Sequence, residues 1–336
     1  MTYDVVAELP LEIESYTLEG LQRDVSSDFT RRTTIVSLHG RGETGVGEDV
    51  TYDGDEHERF QGAGPIHDLA GEHTIESFSR LVGSLDLVPD YRRWAFESAA
   101  LDLALQQAGR PLHEVLDRTS EPVTFVVSMR LGPRDGSARL QRLLADYPGT
   151  RFKLDPTSVW TDALVAELAA LDAVDALDLK GAYKGTIVDQ PADATLYRLV
   201  AEGFPQAWIE DPDLSSEEAR EALEPHYDRV TWDAVIHSVA DIEALPFPPR
   251  GMNIKPSRFG SLRALFEAYD YCDERGIVMY GGGQFELGPG RAHIQRLASL
   301  FYADSPNDVA PSDYNVVGPR PGLPQSPLDV AVEVGL

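Results

Sequence analysis

Phe152-Lys153-Leu154-Asp155, Ala176-Leu177-Asp178-Leu179-Lys180-Gly181, Trp208-Ile209-Glu210-Asp211-Pro212, Val230-Thr231-Trp232-Asp233 and Asn253-Ile254-Lys255-Pro256 are short apolar runs, each interrupted by charge near its end. From Lys153 to Asp178, Glu210, Asp233 and Lys255 the successive gaps are 25, 32, 23 and 22 residues. Helix-like segments fill those gaps. Strand, charged tip and helix repeated at this pitch point to a β/α barrel whose strand ends carry chemistry. A single acid at a strand end is ordinary turn chemistry. A periodic series with lysines at the same level is hard to obtain as a merely solvated rim.

Outward from that core, 336 residues suffice for one large core and a smaller domain. No apolar run reaches membrane-spanning length. Met1-Thr2-Tyr3-Asp4 opens without a basic region followed by an apolar one, so no secretory signal is expected, and the expected location is cytoplasmic. Cys272 is the one cysteine, which excludes an internal disulfide. Its helical spacing with Leu265, Tyr269 and Arg275 predicts a buried structural thiol.

The formal net charge is −27, from 56 acids against 29 basic residues, so neither nucleic acid nor an anionic membrane is an expected partner. Four of the 29 are lysine (Lys153, Lys180, Lys184 and Lys255), and the other 25 are arginine. An acid-rich, lysine-poor chain suits a very salty cytoplasm, whereas GC-rich codon usage would also exchange Lys for Arg. Thermal unfolding separates the two. Screening of −27 charges should raise the melting temperature markedly between low and molar KCl, and a flat or falling curve favours codon usage. In either case three retained lysines lie at the strand ends. Arginine keeps its proton in proteins and lysine can lose it, so these are candidates for proton transfer.

In chain order, residues 1–120 read as a separate α+β unit. Thr33–Leu38 is an expected strand, and His39–Glu48 a glycine-punctuated hairpin turn without the Gly-Lys-Ser/Thr ending of a phosphate loop. Gln22–Arg32 and the acidic Asp49–Glu58 read as loops. Tyr91–Gln107 is an amphipathic helix, with Trp94, Ala95, Leu101, Ala104 and Leu105 at helical spacing, followed by a short one at Leu112–Leu116. The barrel is expected over 121–318. It opens with a β-rich run, Pro122–Met129, bounded by Gly132-Pro133. Expected helices are Ala138–Asp146, Trp160–Leu171, Ala192–Ala201, Ser216–Leu223, Ser261–Arg275 and Gly290–Phe301. Ser215 with Glu218 fits a capping box, and Gly276 a helix C-cap. A strand at Gly276–Tyr280 runs into Gly281-Gly282-Gly283. The segment 319–336 holds one late β-like run, Leu328–Val334.

Together these segments resemble the enolase superfamily, in its muconate-lactonizing and mandelate-racemase-like branches, over nearly the whole chain. Gly42–Glu48 resembles the Gly-x-Gly-Glu turn of the capping domain, and Trp94–Pro111 with Leu112–Leu116 the helix leading into the barrel. Trp208–Pro212 resembles the fourth-strand motif, Ile254-Lys255 the sixth-strand lysine, and Tyr280-Gly281-Gly282 with Glu286 the seventh strand. The resemblance implies an α/β architecture, a (β/α)7β modified TIM barrel closed by an N-terminal α+β capping domain, with the chain's end returning to the cap. It also implies that Asp178, Glu210 and Asp233 bind Mg²⁺ and that Lys255 is a general base.

The physical need is plain. Removing a proton beside a carboxylate places extra charge on oxygens already negative, and a divalent cation held by hard oxygen ligands offsets it. Burial and the cation would lower the Lys255 pKa. Turn capping is the purely structural use of the acids, and an ion pair that of Lys255.

The second-strand pair departs from the resemblance. Relatives commonly carry Lys-x-Lys there, and this chain has Lys153-x-Asp155, with Lys180 two residues beyond Asp178 where relatives often have Asn. Residues i and i+2 share a strand face, which would bring Lys153, Asp155, Asp178 and Lys180 together at the barrel mouth. Either Lys180 has become a base steadied by Asp155, or the two form a buried ion pair. Glu286 is a candidate acid or hydrogen-bond partner, and His237 a capping or substrate-touching residue. His293 is expected to be structural. In the relatives cap loops choose the substrate, which would place Arg23, Arg31, Arg32 or residues near them over the mouth.

The expected function is a Mg²⁺-dependent lyase or isomerase acting on a small carboxylate through an enediolate, by one-base dehydration or cycloisomerisation. The alternatives are a racemase or epimerase using Lys180 and Lys255, and a homologue that binds metal and carboxylate without turnover. A homo-oligomer is expected.

Overall fold

The computed structural model describes residues 1–25, 29–87, 90–132, 136–186, 188–316 and 321–336. Among the described residues five strands precede the barrel: β1 (Pro10–Ile13), β2 (Ser15–Val25), β3 (Phe29–Gly40), β4 (Glu43–Asp49) and β5 (Gly71–Thr74). β2, β3 and β4 form an antiparallel sheet, and β1 pairs with β5. The helix Asp90–Ala108 lies on β4 with Trp94, Ala95, Leu101, Ala104 and Leu105 buried. Two glycines allow that close approach. A Cβ on Gly45 would sit 2.2 Å from the Leu103 backbone nitrogen, and one on Gly47 would sit 2.0 Å from the Ala95 carbonyl oxygen.

Seven parallel strands follow: β6 (Val126–Met129), β7 (Arg151–Leu154), β8 (Val174–Asp178), β9 (Trp208–Glu210), β10 (Val230–Thr231), β11 (Gly251–Ile254) and β12 (Val278–Gly281). β6 to β10 form one ladder, and β11 pairs with β12. The Asn253 N–H donates to the Trp232 carbonyl at 3.1 Å, joining the two groups. The eighth place belongs to Asn307 and Asp308, bridged in parallel to Phe125 and Gly282. This is the (β/α)7β barrel with its capping domain. Phe152, Leu154, Leu177, Ile209, Val230 and Ile254 are fully buried, each stabilising the fold by roughly 1.5–3 kcal/mol. Among the described residues no helix is long and apolar enough to cross a membrane.

Several expectations change. Gln22–Arg32 is not a loop: β2 and β3 continue through it in register, Arg23 opposite Arg31, apart from 26–28, which lie outside the described residues. Its polar residues alternate across a sheet edge, which masks the strand pattern. Within His39–Glu48 only the Arg41-Gly42 corner turns, and Glu43–Asp49 is strand. The acidic stretch after Asp49 includes the helix Gly54–Ala63, because the Asp53 carboxylate accepts the Asp55 and Glu56 N–H groups. Ser216, one residue later than expected, caps Glu217–Leu223 by accepting from Ala219.

Leu328–Val334 forms no strand, and only Leu328 bridges, to Val123. β6 starts at Val126, four residues later than the β-rich run, and the seventh strand covers Val278–Gly281. Pro133 and the 318/319 boundary lie outside the described residues. At the chain's end the Leu336 N–H donates to Asp102 of the helix Asp90–Ala108, at 2.9 Å.

Candidate active site

β8, β9 and β10 end side by side, and register pairing sets Asp178 opposite Glu210. Each of Asp178, Glu210 and Asp233 offers a carboxylate oxygen within 4.8 Å of the others, and all three are buried. Three buried hard oxygens at that spacing fit Mg²⁺. Asp211 shapes the end of β10. Held at φ 47°, it accepts the Asp233 and Ala234 N–H groups, both at 2.9 Å. Burial and the neighbouring Asp233 and Asp178 push its carboxyl up to about 7.

The strand ends also bring in cations. Lys153 (1% exposed) donates to Glu210, with Asp178 at 3.4 Å and Asp308 at 3.7 Å. Glu210 further accepts from Tyr280 Oη at 2.6 Å and Asn253 Nδ2 at 3.0 Å, and burial still pushes it up to about 8. Lys255 Nζ lies 2.7 Å from Asp233. Arg258 Nε lies 3.1 Å from the same carboxylate, and Tyr183 Oη donates to it at 3.1 Å. Burial would raise the Asp233 carboxyl, but Arg258 and Lys255 hold it well below the usual range.

Lys180 meets the cluster by a different route from the expected strand alternation. β8 ends at Asp178, and Lys180 adopts a left-handed φ of 54°. That turn folds its ammonium back onto Asp178 Oδ2, while its N–H donates to Oδ1 at 3.2 Å. Asp155, one residue past β7, lies 3.7 Å from the ammonium. Burial pushes the Asp155 carboxyl up to about 6 against the pull of Lys180.

Of the two expected causes of a lowered Lys255 pKa, burial and a bound cation, the protein's own residues supply only the first. Burial acts downward as argued, but Asp233 outweighs it and holds the ammonium above its ordinary value.

Lys153, Asp155, Asp178, Lys180, Glu210, Asp233 and Lys255 therefore form one cluster. Glu286 faces elsewhere, pairing with Arg291 at 2.9 Å and accepting the Gln284 N–H at 2.6 Å. Against it lies Glu48, whose carboxylate accepts N–H groups from Leu287, Gly288 and Gly290 at 2.7 to 3.1 Å, at the start of the helix Gly290–Phe301. Arg31 is buried and donates to the Thr51, Val50 and Gln284 carbonyls, tying cap to barrel. Arg23 pairs with Asp313 and Arg32 with Glu58. His237 contacts Asp90 and the Arg258 carbonyl. Burial pushes the Cys272 thiol up to about 12.

The sequence reading missed Arg258, Tyr183, Tyr280, Asn253, Asp211 and Asp308. Asn253 and Tyr280 carried a usable signal, being inward positions on strands already recognised.

His293 is wholly buried, and burial with nearby Arg296 lowers its pKa from 6.5 to about 3. A depressed histidine contributes stability in full above pH 6.5 and loses it as pH falls toward 3, at about 1.4 kcal/mol per unit. Urea unfolding at pH 7 and pH 5 should show this loss in the wild type. His293→Gln should flatten the slope.

Two family models match the chain, the Domain of unknown function (DUF8230) N-terminal domain over residues 4–115 and its C-terminal domain over 119–316. An o-succinylbenzoate synthase of Geobacillus stearothermophilus is 30% identical over 230 residues, 66% of this chain and 59% of that protein. The match thus spans under two thirds of that relative's length. An N-succinylamino acid racemase of Thermus thermophilus is 26% identical over 348 residues, covering 91% of this chain and 84% of the relative. A solved structure described as an unknown member of the enolase superfamily, from Enterococcus faecalis, superposes with a TM-score of 0.75 at 18% identity, over 97% of this chain and 94% of the other.

Proposed function

The chain belongs to the DUF8230 family and, by fold, to the enolase superfamily, and from that premise we propose that it is a Mg²⁺-dependent lyase or isomerase that removes the proton α to a carboxylate. The observation that carries this reading is the buried Asp178, Glu210 and Asp233 triad with Lys255 set 2.7 Å from Asp233. Asp178, Glu210 and Asp233 would hold a divalent cation, which would supply positive charge against an enediolate and against the pull of Asp233 on the Lys255 ammonium. Lys255 takes the α-proton at Nζ. Its stem is held close. A Cβ on Gly282 would lie 2.6 Å from Lys255 Cε, so glycine there leaves the lysine its channel. Lys153, wholly buried between Glu210, Asp178 and Asp308, orients carboxylates and adds fixed positive charge.

One-base chemistry, an elimination of water or a cycloisomerisation, is favoured because Lys180 is confined between Asp178 and Asp155. Burial works to lower its pKa, and Asp155 and Asp178 outweigh that as Asp233 does for Lys255. The distinction between the two lysines is therefore the second carboxylate, Asp155, which is outside the candidate ligand set. The second reading is a racemase using Lys180 and Lys255. It is favoured by their separate origins, beyond β8 and beyond β11, and by the likeness to the racemase of Thermus thermophilus. The names of the relatives suggest succinyl-bearing carboxylates as a first panel.

With Mg²⁺ in heavy water, deuterium should enter the α-carbon of an acid in that panel. Incorporation into one enantiomer supports one base, and incorporation into both supports two. Metal-loaded protein that labels no acid in the panel overturns turnover, leaving a metal-binding homologue.

A further inference from the structure

The Asp178 carboxylate already serves one cation. Lys180 occupies both its oxygens, the ammonium on Oδ2 and the N–H on Oδ1, and Lys153 lies 3.4 Å from Oδ2. A divalent cation that takes Asp178 as a ligand therefore competes with an ammonium for the same atom. Two positive charges cannot share a buried oxygen without strong repulsion. The ammonium also cannot be left stranded, because a buried charge without a partner is costly.

The structure provides a second position for it. Asp155 Oδ1 lies 3.7 Å from Lys180 Nζ, is buried, and has no hydrogen-bond partner among the described residues. An orphaned buried carboxylate oxygen beside a lysine is a ready acceptor. The flexible lysine stem ends in three rotatable donors, which suits an ammonium shared between two neighbouring oxygens. Other groups facing this ammonium are Lys153, Glu210 and the Tyr183 ring, whose centroid is 5.2 Å away.

Resting on the metal reading above, we infer that Lys180 is a two-position ammonium that transfers from Asp178 to Asp155 when a divalent cation takes the Asp178 oxygen, with Asp155 as the positioning residue that receives it. The Lys-x-Asp departure at the second strand and the lysine beyond the third-strand acid are then one device. Moving the ammonium sets metal affinity and holds the lysine clear of the metal ligands.

The test is Mn²⁺ affinity, read by electron paramagnetic resonance on the full chain without substrate. Lys180→Met removes the competitor and should tighten binding by about tenfold or more. Asp155→Asn removes the negative charge that draws the ammonium across and should weaken binding by about tenfold when Lys180 is present. In the double variant the Asp155→Asn effect should shrink below about twofold, since there is no ammonium to receive. An equal Asp155→Asn effect in both backgrounds means a simple charge contribution and overturns the inference. A Mn²⁺-soaked crystal decides the geometry independently. Nζ within hydrogen-bond distance of Asp155 Oδ1 supports the transfer, and Nζ still on Asp178 overturns it. Wild-type protein that takes up no Mn²⁺ at the triad overturns the metal reading as well, a result distinct from binding with additive variants.

Discussion

Lys255→Arg should abolish α-proton exchange while the protein still folds and binds one Mn²⁺ per chain. Arginine keeps the positive charge beside Asp233 but has no accessible neutral form. Loss of a general base costs on the order of 10²–10⁴ in rate. The packing adds a control, because Gly282 leaves little room along the lysine stem and the bulkier guanidinium could disturb it. Lys255→Met, slimmer and uncharged, should lose exchange to the same degree. Deuterium uptake followed by mass spectrometry reads both variants. Exchange at the wild-type rate in either one means that the base lies elsewhere in the cluster.

Asp233→Asn should have two large effects at once. It removes one of three candidate metal ligands, so Mn²⁺ binding should weaken by about a hundredfold or more. It also strips the carboxylate from two buried cations, Lys255 at 2.7 Å and Arg258 at 3.1 Å. Breaking a buried pair by removing one partner typically costs about 3–5 kcal/mol, because the other charge stays behind. Denaturant unfolding without added metal isolates that second effect. Asp233→Asn protein as stable as the wild type would show that these cations do not depend on Asp233. Unchanged Mn²⁺ affinity would remove Asp233 from the ligand set.

The barrel was legible because its strands are buried on both faces. Runs such as Trp208-Ile209 stand out against polar helices, and the charged residue ending each run marks the rim. Gly276, with its φ of 63°, gave a helix end directly. The triad and its lysines were legible for the same reason, since ends of neighbouring parallel strands must lie side by side.

Other features were hidden because their cause is tertiary. Gln22–Arg32 looks polar because its strands form an edge of the cap sheet. Gly45 and Gly47 look like turn residues, yet they serve the close packing of a helix some fifty residues further on. Arg258 is invisible to strand periodicity. It lies in the short helix Pro256–Phe259 and reaches back to Asp233. The direction of the Lys255 shift depends on a partner 22 residues away in sequence, a contact that spacing could suggest but not weigh.

The Glu48 carboxylate bears on how the two halves can be handled as parts. It accepts three N–H groups at the start of the helix Gly290–Phe301, and a Cβ on Gly290 would lie 2.9 Å from its Oε2. A barrel excised at the junction between the two family matches would lose that acceptor and leave those donors without their partner. A chimera carrying a relative's cap needs a carboxylate at this register and glycine opposite it. Cap and barrel are therefore exchangeable where the incoming cap brings that carboxylate and the barrel keeps the glycine facing it.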